Sequence, residues 1–393
     1  MRGTRSTVSF LVCALLSAPL AACGDASAGG RDVEVADSSG VTLVRNLEPD
    51  LAIVTRSEAV LSLGGKETEE ESFFQVGSWN VDTDRDGNVY VLDLVTSRVQ
   101  VFDSRGRHVR SMGGKGEGPG ELQWAFALAA SADGRVRVMD VGKRAFVQWG
   151  PGGEVEEADP VPEGYRGGEV EWMKGGMALV LQDRETGADR LVLASPSGET
   201  ATLATSAAVE LKPITLESCG MGFSGMGPIF APSLVWTAEG NTVVVTRAPG
   251  YVLDVFDGGR LVRSIRLEVP ARAATAELAK ASLGEGMRIG TPDGERVCDP
   301  DEVVEKRGFA PVLPAVAKLA LAPDGTVWAQ RFAVGDEPLV IDLFDPEGRY
   351  VGRLPEGFPF PVGFLPDGRL LTSEKDELDV ERLVVRTWAV ERP

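Results

Sequence analysis

The residues best suited to chemistry in this chain are three alternating aspartates, Asp82, Asp84 and Asp86, followed by Gly87 and, six positions further on, Asp93. Alternating carboxylates converge on a hard cation and glycine permits the sharp turn this requires, which makes the segment a candidate calcium loop. It departs from that pattern twice. The twelfth position holds the short Asp93 in place of a glutamate, and the residues after Gly87 alternate as a strand that carries Asp93 away from the loop. An Asp-Gly turn between two strands explains the same residues with no ion at all, so calcium at Asp82, Asp84 and Asp86 stands as the weaker reading. No other cofactor is expected.

The single histidine, His108, excludes a metal site built from several imidazoles and leaves one candidate for a triad base. It lies in Arg107-His108-Val109-Arg110, a charged strand just past the Gly106 turn, and no Gly-x-Ser-x-Gly elbow accompanies it. No catalytic residue is assigned. Glu67, Glu69, Glu70 and Glu71 read as a solvated loop, and the seven tryptophans read mostly as core. Gly118-Pro119-Gly120 is a rigid turn, since no helix start follows that would make it a phosphate loop. With Lys+Arg 40 against Asp+Glu 59, the net charge of -19 repels a phosphate backbone and excludes nucleic acid as a partner. At 393 residues, 43% hydrophobic, the chain can bury a full core.

Arg2 and Arg5 precede an apolar run from Val8 to Ala22, too short for the roughly 20 residues a membrane-spanning helix needs. The run ends in Leu20-Ala21-Ala22-Cys23, which resembles the lipobox of bacterial lipoproteins. An ordinary secretory cleavage site and an uncleaved anchor are the competing readings. The resemblance implies that residues 1–22 are a signal peptide and that Cys23 becomes an acylated mature N-terminus. It implies the outer membrane as destination, because Gly24 follows where a retention signal would place Asp. Residues 23–30 are small and polar, a tether of on the order of 17 Å.

The positions of these residues depend on a repeat. Leu63-Gly64-Gly65-Lys66 returns as Met112-Gly113-Gly114-Lys115, and the stretch Asp86 to Asp93 returns as Asp133 to Asp140. Acidic-Gly or Gly-Gly turns recur at Asp86-Gly87, Asp133-Gly134, Gly175-Gly176, Glu239-Gly240, Asp324-Gly325 and Asp367-Gly368, with alternating apolar runs between them. A second hairpin follows most of them, which makes a four-stranded unit. Such units stack radially to bury both faces, so the expected fold is all-β, a six-bladed β-propeller over residues 31–393. Residues 84–121, from the turn to Gly116-Glu117-Gly118-Pro119-Gly120-Glu121, resemble the NHL-type repeat family, a resemblance that implies a scaffold and no particular activity. The longest gap between turns holds a helix-prone Ala273–Lys280 and a capped start at Asp299, and predicts a helical insertion at about 270–312, between blades four and five. The last repeat lacks a strand. Val41–Val44 or Ala59–Leu63 is expected to supply it and close the ring.

Cys13 leaves with the signal and the lipobox resemblance assigns Cys23 to lipid, so Cys219 and Cys298 remain, in an oxidising compartment. Links entering neighbouring blades emerge on one face, which brings the two within reach of a disulfide; two separate buried thiols are the alternative. The whole reads as a monomeric, membrane-anchored module that binds an unidentified protein or small-molecule ligand and is not an enzyme. The rivals are a lactonase-like hydrolase or lyase with carboxylate-held calcium, and a purely structural envelope domain. The working surface is expected on the face of the links, of which 206–230 and 270–312 are the longest.

Overall fold

The computed structural model describes residues 33–64, 73, 76–195, 200–247, 249–291, 294–375 and 380–391. The signal peptide, Cys23, the tether and the acidic run at 67–71 lie outside these residues.

The chain begins with β1 (Val33–Ser38), β2 (Val41–Asn46) and β3 (Val54–Leu63). Blade one follows as β4 (Val81–Thr83), β5 (Val89–Asp93), β6 (Arg98–Phe102) and β7 (His108–Gly113), and blade two as β8 (Ala125–Ala130), β9 (Val136–Asp140), β10 (Ala145–Trp149) and β11 (Val155–Pro160). Blade three is β12 (Tyr165–Met173), β13 (Gly176–Gln182), β14 (Asp189–Ala194) and β15 (Thr200–Thr205). A separate hairpin, β16 (Lys212–Leu216) and β17 (Met221–Met226), leads to blade four, β18 (Leu234–Glu239), β19 (Thr242–Arg247), β20 (Val252–Asp257) and β21 (Arg260–Leu267). Then come α1 (Ala276–Leu283), the hairpin β22 (Met287–Thr291) and β23 (Gly294–Cys298), and α2 (Pro300–Arg307). Blade five is β24 (Val316–Leu321), β25 (Val327–Arg331), β26 (Ile341–Phe344) and β27 (Tyr350–Arg353); blade six is β28 (Gly363–Phe364), β29 (Leu370–Lys375), β30 (Glu381–Glu391) and, out of sequence order, β3. The all-β six-bladed propeller is therefore the fold.

The recurring turns explain the hairpins. Gly87, Gly134, Gly325 and Gly368 all have φ between 77° and 89°, where a side chain is strained, and each N–H closes on a carbonyl three residues back at 2.8–3.0 Å. The second strand of each blade is buried on both faces, as in Val89–Asp93, while the outermost strand alternates, as in His108–Gly113. This is the burial that radial stacking demands, because an inner strand is sandwiched between two neighbouring blades.

The core is accordingly a ring of interfaces. Blade one packs on two around Leu92, Val101, Leu128 and Trp149. Two packs on three around Phe146 and Leu179, three on four around Leu191 and Trp236, four on five around Leu253 and Phe344, and five on six around Trp328 and Leu370. Leu63, Leu383, Val91 and Phe102 complete the circuit between six and one.

Closure uses the second of the two candidate runs. β3 pairs antiparallel with β30 from Val54↔Glu391 to Leu63↔Leu383, so Ala59–Leu63 supplies the missing outer strand. Val41–Val44 does not. It lies in β2, which folds back on β1 and pairs parallel with β21, from Thr42↔Arg263 to Asn46↔Leu267, widening blade four to six strands. The side chain of Asn46 fixes this placement: Nδ2 donates to the carbonyls of Arg266 and Gly348, and Oδ1 accepts from Tyr350 N at 2.8 Å.

Candidate functional site

The first strands β4, β8, β12, β18, β24 and β28 surround the axis of the ring, with β8 beside β4 and β12, β18 beside β12 and β24, and β28 beside β4. Short inner strands leave a channel. Its wider part is a funnel of about 790 Å³, walled by Ser78 and Trp79, Gly167 to Glu169, Gln182, Leu234 to Trp236, Lys318, Leu339 and Phe360. Most of these residues precede or open a first strand, so the funnel opens on the face where links enter the blades. Below it the channel narrows to a space of about 60 Å³ lined by Asp82, Glu169, Glu171, Thr237, Glu239 and Ala320.

The funnel wall is aromatic on several sides. The Trp79 ring stacks on Phe126 at 5.4 Å between centroids, and Lys318 Nζ lies 6.0 Å above the ring of Phe360. Gly167, with φ 96°, lets the backbone pass Phe126, whose ring a side chain there would meet at 3.3 Å.

The floor is acidic. Asp82 Oδ2 accepts from Ala130 N at 2.6 Å and Oδ1 from Thr83 N at 2.7 Å, tying blade one to blade two. Burial nevertheless pushes its carboxyl up to about 7, against those amide bonds and with the Glu239 charge adding to the rise. Glu171 is raised well above the usual carboxylate range, first by burial and then by the charges of Asp82, Glu169 and Glu239. Glu169 is raised by burial as well, though it accepts from the Ser78 hydroxyl and feels the cation of Lys318. Glu239 is exposed at the far mouth, yet enough protein surrounds it to raise its carboxyl too. These groups therefore hold protons at neutral pH more readily than surface acids do.

Of the three alternating aspartates, only Asp82 reaches this channel; Glu239, read in the sequence as part of a turn, also lines it, and Trp79 and Trp236 line the funnel. Asp84 is committed to its own turn: Oδ1 accepts from Asp86 N and Asn88 N at 3.0 and 2.9 Å, and Oδ2 from Asn88 Nδ2 and Tyr90 Oη at 2.7 and 2.9 Å. Asp86 is exposed. The three carboxylates thus face different partners. Among the described residues no three His, Cys, Asp or Glu side chains are placed to share a metal ion. His108 sits on the outermost strand of blade one, 3.0 Å from Ser111 Oγ and edge-on to Phe102.

Cys219 and Cys298 form a disulfide, with Cα atoms 4.8 Å apart. It joins the β16–β17 hairpin to the segment holding α1, β22, β23 and α2, around a small core of Ile214, Leu216, Ile229, Ala279 and Val303. The helices there are capped by Thr275, which accepts from Leu278 N, and by Asp299, which accepts from Asp301 N and Glu302 N. Neither long link contributes to the wall of the funnel.

The sequence reading missed Glu169, Glu171 and Lys318. Their signal was present: charged residues at alternate positions of a blade's first strand, where one face meets the axis instead of a neighbouring blade.

A family described as a six-bladed β-propeller, DUF5128, matches residues 67–159. A Bacteroides fragilis protein named as exported superposes with a TM-score of 0.51 at 12% identity, over 89% of this chain and 100% of its own. A DUF4221 member from Bacteroides vulgatus gives 0.52 at 10% identity, over 86% and 99%. A calcium-binding regucalcin from Agrobacterium tumefaciens covers 86% of this chain and 96% of its own at 12% identity, but its TM-score of 0.38 carries no argument about calcium here. No curated protein matches the chain. At these identities the likeness establishes the fold alone.

Proposed function

We propose that this protein is an exported, lipid-anchored propeller that binds a small-molecule ligand in its axial funnel and performs no reaction on it. The observation that carries this reading is the funnel itself. Its volume of about 790 Å³ falls in the range of small-molecule sites, and its wall combines aromatic surface with a few polar groups, as such sites do. It opens on the link face and narrows beneath to a floor of carboxylates. The bound molecule is thus held in the wide end of a narrowing channel on a rigid ring.

The address follows from the N-terminus: cleavage before Cys23, acylation of its thiol and a short tether place the ring beside the outer membrane. The name of the Bacteroides fragilis neighbour agrees with export. The blades are read as NHL-type repeats, and the segment at about 270–312 as a helical insertion between blades four and five that is stapled to the preceding link and braces the rim.

The test is a thermal-shift and tryptophan-fluorescence screen of small molecules against the protein and its Trp79→Ala and Phe360→Ala variants. A ligand that raises the melting temperature of the parent protein and has at least ten-fold weaker affinity for the variants supports the reading. Equal binding to all three places the ligand elsewhere and overturns it. For the anchor, Cys23→Ser should move the protein from the membrane to the soluble fraction.

A further inference from the structure

We propose that the funnel takes an uncharged saccharide, two neighbouring hydroxyls of which sit on the side-chain amide of Gln330. The proposal deepens the funnel reading and rests on it. Gln330 belongs to β25, is 7% exposed and lines the funnel, and neither end of its amide makes a hydrogen bond with a described residue. Gln148, which is 6% exposed, shows what the fold ordinarily does with such a group: Oε1 accepts from Arg137 Nε at 2.6 Å and Nε2 donates to the carbonyl of Glu157 at 2.7 Å. An amide taken largely out of water with both ends unpaired costs stability, and a ligand that pairs them recovers it. Trp236, on β18, repeats the pattern. It is 5% exposed and lines the same space, yet its indole N–H has no partner among the described residues, where a buried indole ordinarily finds one.

These two groups specify the chemistry. A glutamine amide sets a donor beside an acceptor, so its complement is an acceptor beside a donor. Hydroxyls on adjacent ring carbons of a sugar are each both, and they match the amide whichever way it is turned. The indole N–H asks for one more acceptor oxygen, which a further hydroxyl or the ring oxygen supplies. Trp79 and Phe360 add ring faces, whose negative π surface suits the C–H face of a pyranose.

The charges of the wall favour a neutral molecule. Lys318 stands directly opposite Gln330 in the β24–β25 ladder, with its Nζ over the Phe360 ring, and turns a cation away from this side. Glu169 and Asp189 on the same wall, with the acids of the floor below, turn away an anion. The volume of about 790 Å³ lies in the range of small-molecule sites and takes a disaccharide without rearrangement of the ring.

The experiment is saturation-transfer NMR and calorimetric titration of the full soluble chain with maltose, cellobiose, lactose and chitobiose, and with adenosine and 2-phenylethanol as ligands of other classes. The expected result is that at least one disaccharide binds, and binds Gln330→Leu more weakly by roughly ten-fold or more. Replacing its hydroxyls by hydrogen one at a time should find a position whose loss weakens binding to the parent protein and leaves binding to Gln330→Leu unchanged. Without ligand, Gln330→Leu should melt at the same temperature as the parent or higher, because it removes a buried amide that has no partner. Failure of all four disaccharides at millimolar concentration, an unchanged affinity in Gln330→Leu, or a lower melting temperature for that variant overturns the inference. Adenosine or 2-phenylethanol binding that is lost in Trp79→Ala, with no disaccharide bound, leaves the funnel reading standing while this one fails. Disaccharide binding that is unchanged in both Trp79→Ala and Phe360→Ala defeats the two together.

Discussion

The hydroxyl of Tyr251, in blade four, donates to Oδ2 of Asp342, in blade five, at 2.7 Å across the interface between the blades. Asp342 is fully buried, and it also accepts from Tyr350 Oη at 2.9 Å and from both Nε and Nη2 of Arg331. Arg331 Nη2 in turn also donates to the carbonyl of Pro49, from which Tyr350 Oη lies 3.0 Å, so one carboxylate ties two blades and the N-terminal segment together. A buried charge with four donors is satisfied; the same donors without it are not. Asp342→Ala should cost about 3–5 kcal/mol, because it leaves Arg331 without its counter-charge, whereas Tyr251→Phe should cost about 1 kcal/mol. Urea unfolding of the two variants checks the difference, and equal losses would show that Asp342 is no node.

Opening the Cys219–Cys298 bridge should loosen the links without unmaking the ring. The bridge closes a sequence separation of 79 residues, worth about 4 kcal/mol in the chain-entropy picture, and native-state effects commonly reduce that. The double variant Cys219→Ser, Cys298→Ser should unfold at lower urea while its far-ultraviolet circular dichroism stays that of a β protein. Alkylation of the unreduced, unfolded protein should add no label at either cysteine.

Stability should fall as the pH rises from about 4 to about 7. An acid whose pKa is higher in the folded chain keeps a proton there that the unfolded chain has lost, so the folded state binds more protons throughout that window. Asp82, moved from 3.8 to about 7, spans this window, and Glu171 and Glu169 act in the same direction. Glu171→Gln removes one of these raised acids and should flatten the slope, leaving the protein more stable than the parent at pH 8. A parent protein whose stability rises across this interval would contradict the account of the floor.

The two N-terminal hairpin strands and the closing strand should differ in what their removal does. Deleting residues 33–40 takes away β1, the outer edge of blade four, and leaves every inter-blade interface in place. Deleting residues 54–63 takes away the partner of β30 and the Leu63 contact between blades six and one, exposing a strand edge of up to 11 residues. The first deletion should leave a soluble protein with one cooperative transition, and the second should aggregate. Size-exclusion chromatography and differential scanning calorimetry separate the two outcomes.

The sequence by itself determined the blades. Acidic-Gly or Gly-Gly turns and period-two alternation are local properties, written within a few residues of each other, and six such turns in series leave a propeller as the way to bury both faces of every sheet. The cysteines were legible for a similar reason: the lipobox resemblance and compartment left two, and the topology put both on links at one face. Tertiary structure decided whatever depends on which residues meet across the ring. Val41–Val44 and Ala59–Leu63 carry the same alternation, and only the pairing of β3 with β30 and of β2 with β21 distinguishes the closing strand from an edge extension. The aspartates of the turn looked like one site in the sequence because they are adjacent there. In the fold Asp82 points to the axis while Asp84 holds its own hairpin, and the true neighbours of Asp82 are Glu171 and Glu239, far along the chain. A channel floor is assembled from one or two residues per blade. No local pattern marks it, because the charges that meet at the axis are brought together only by closure of the ring.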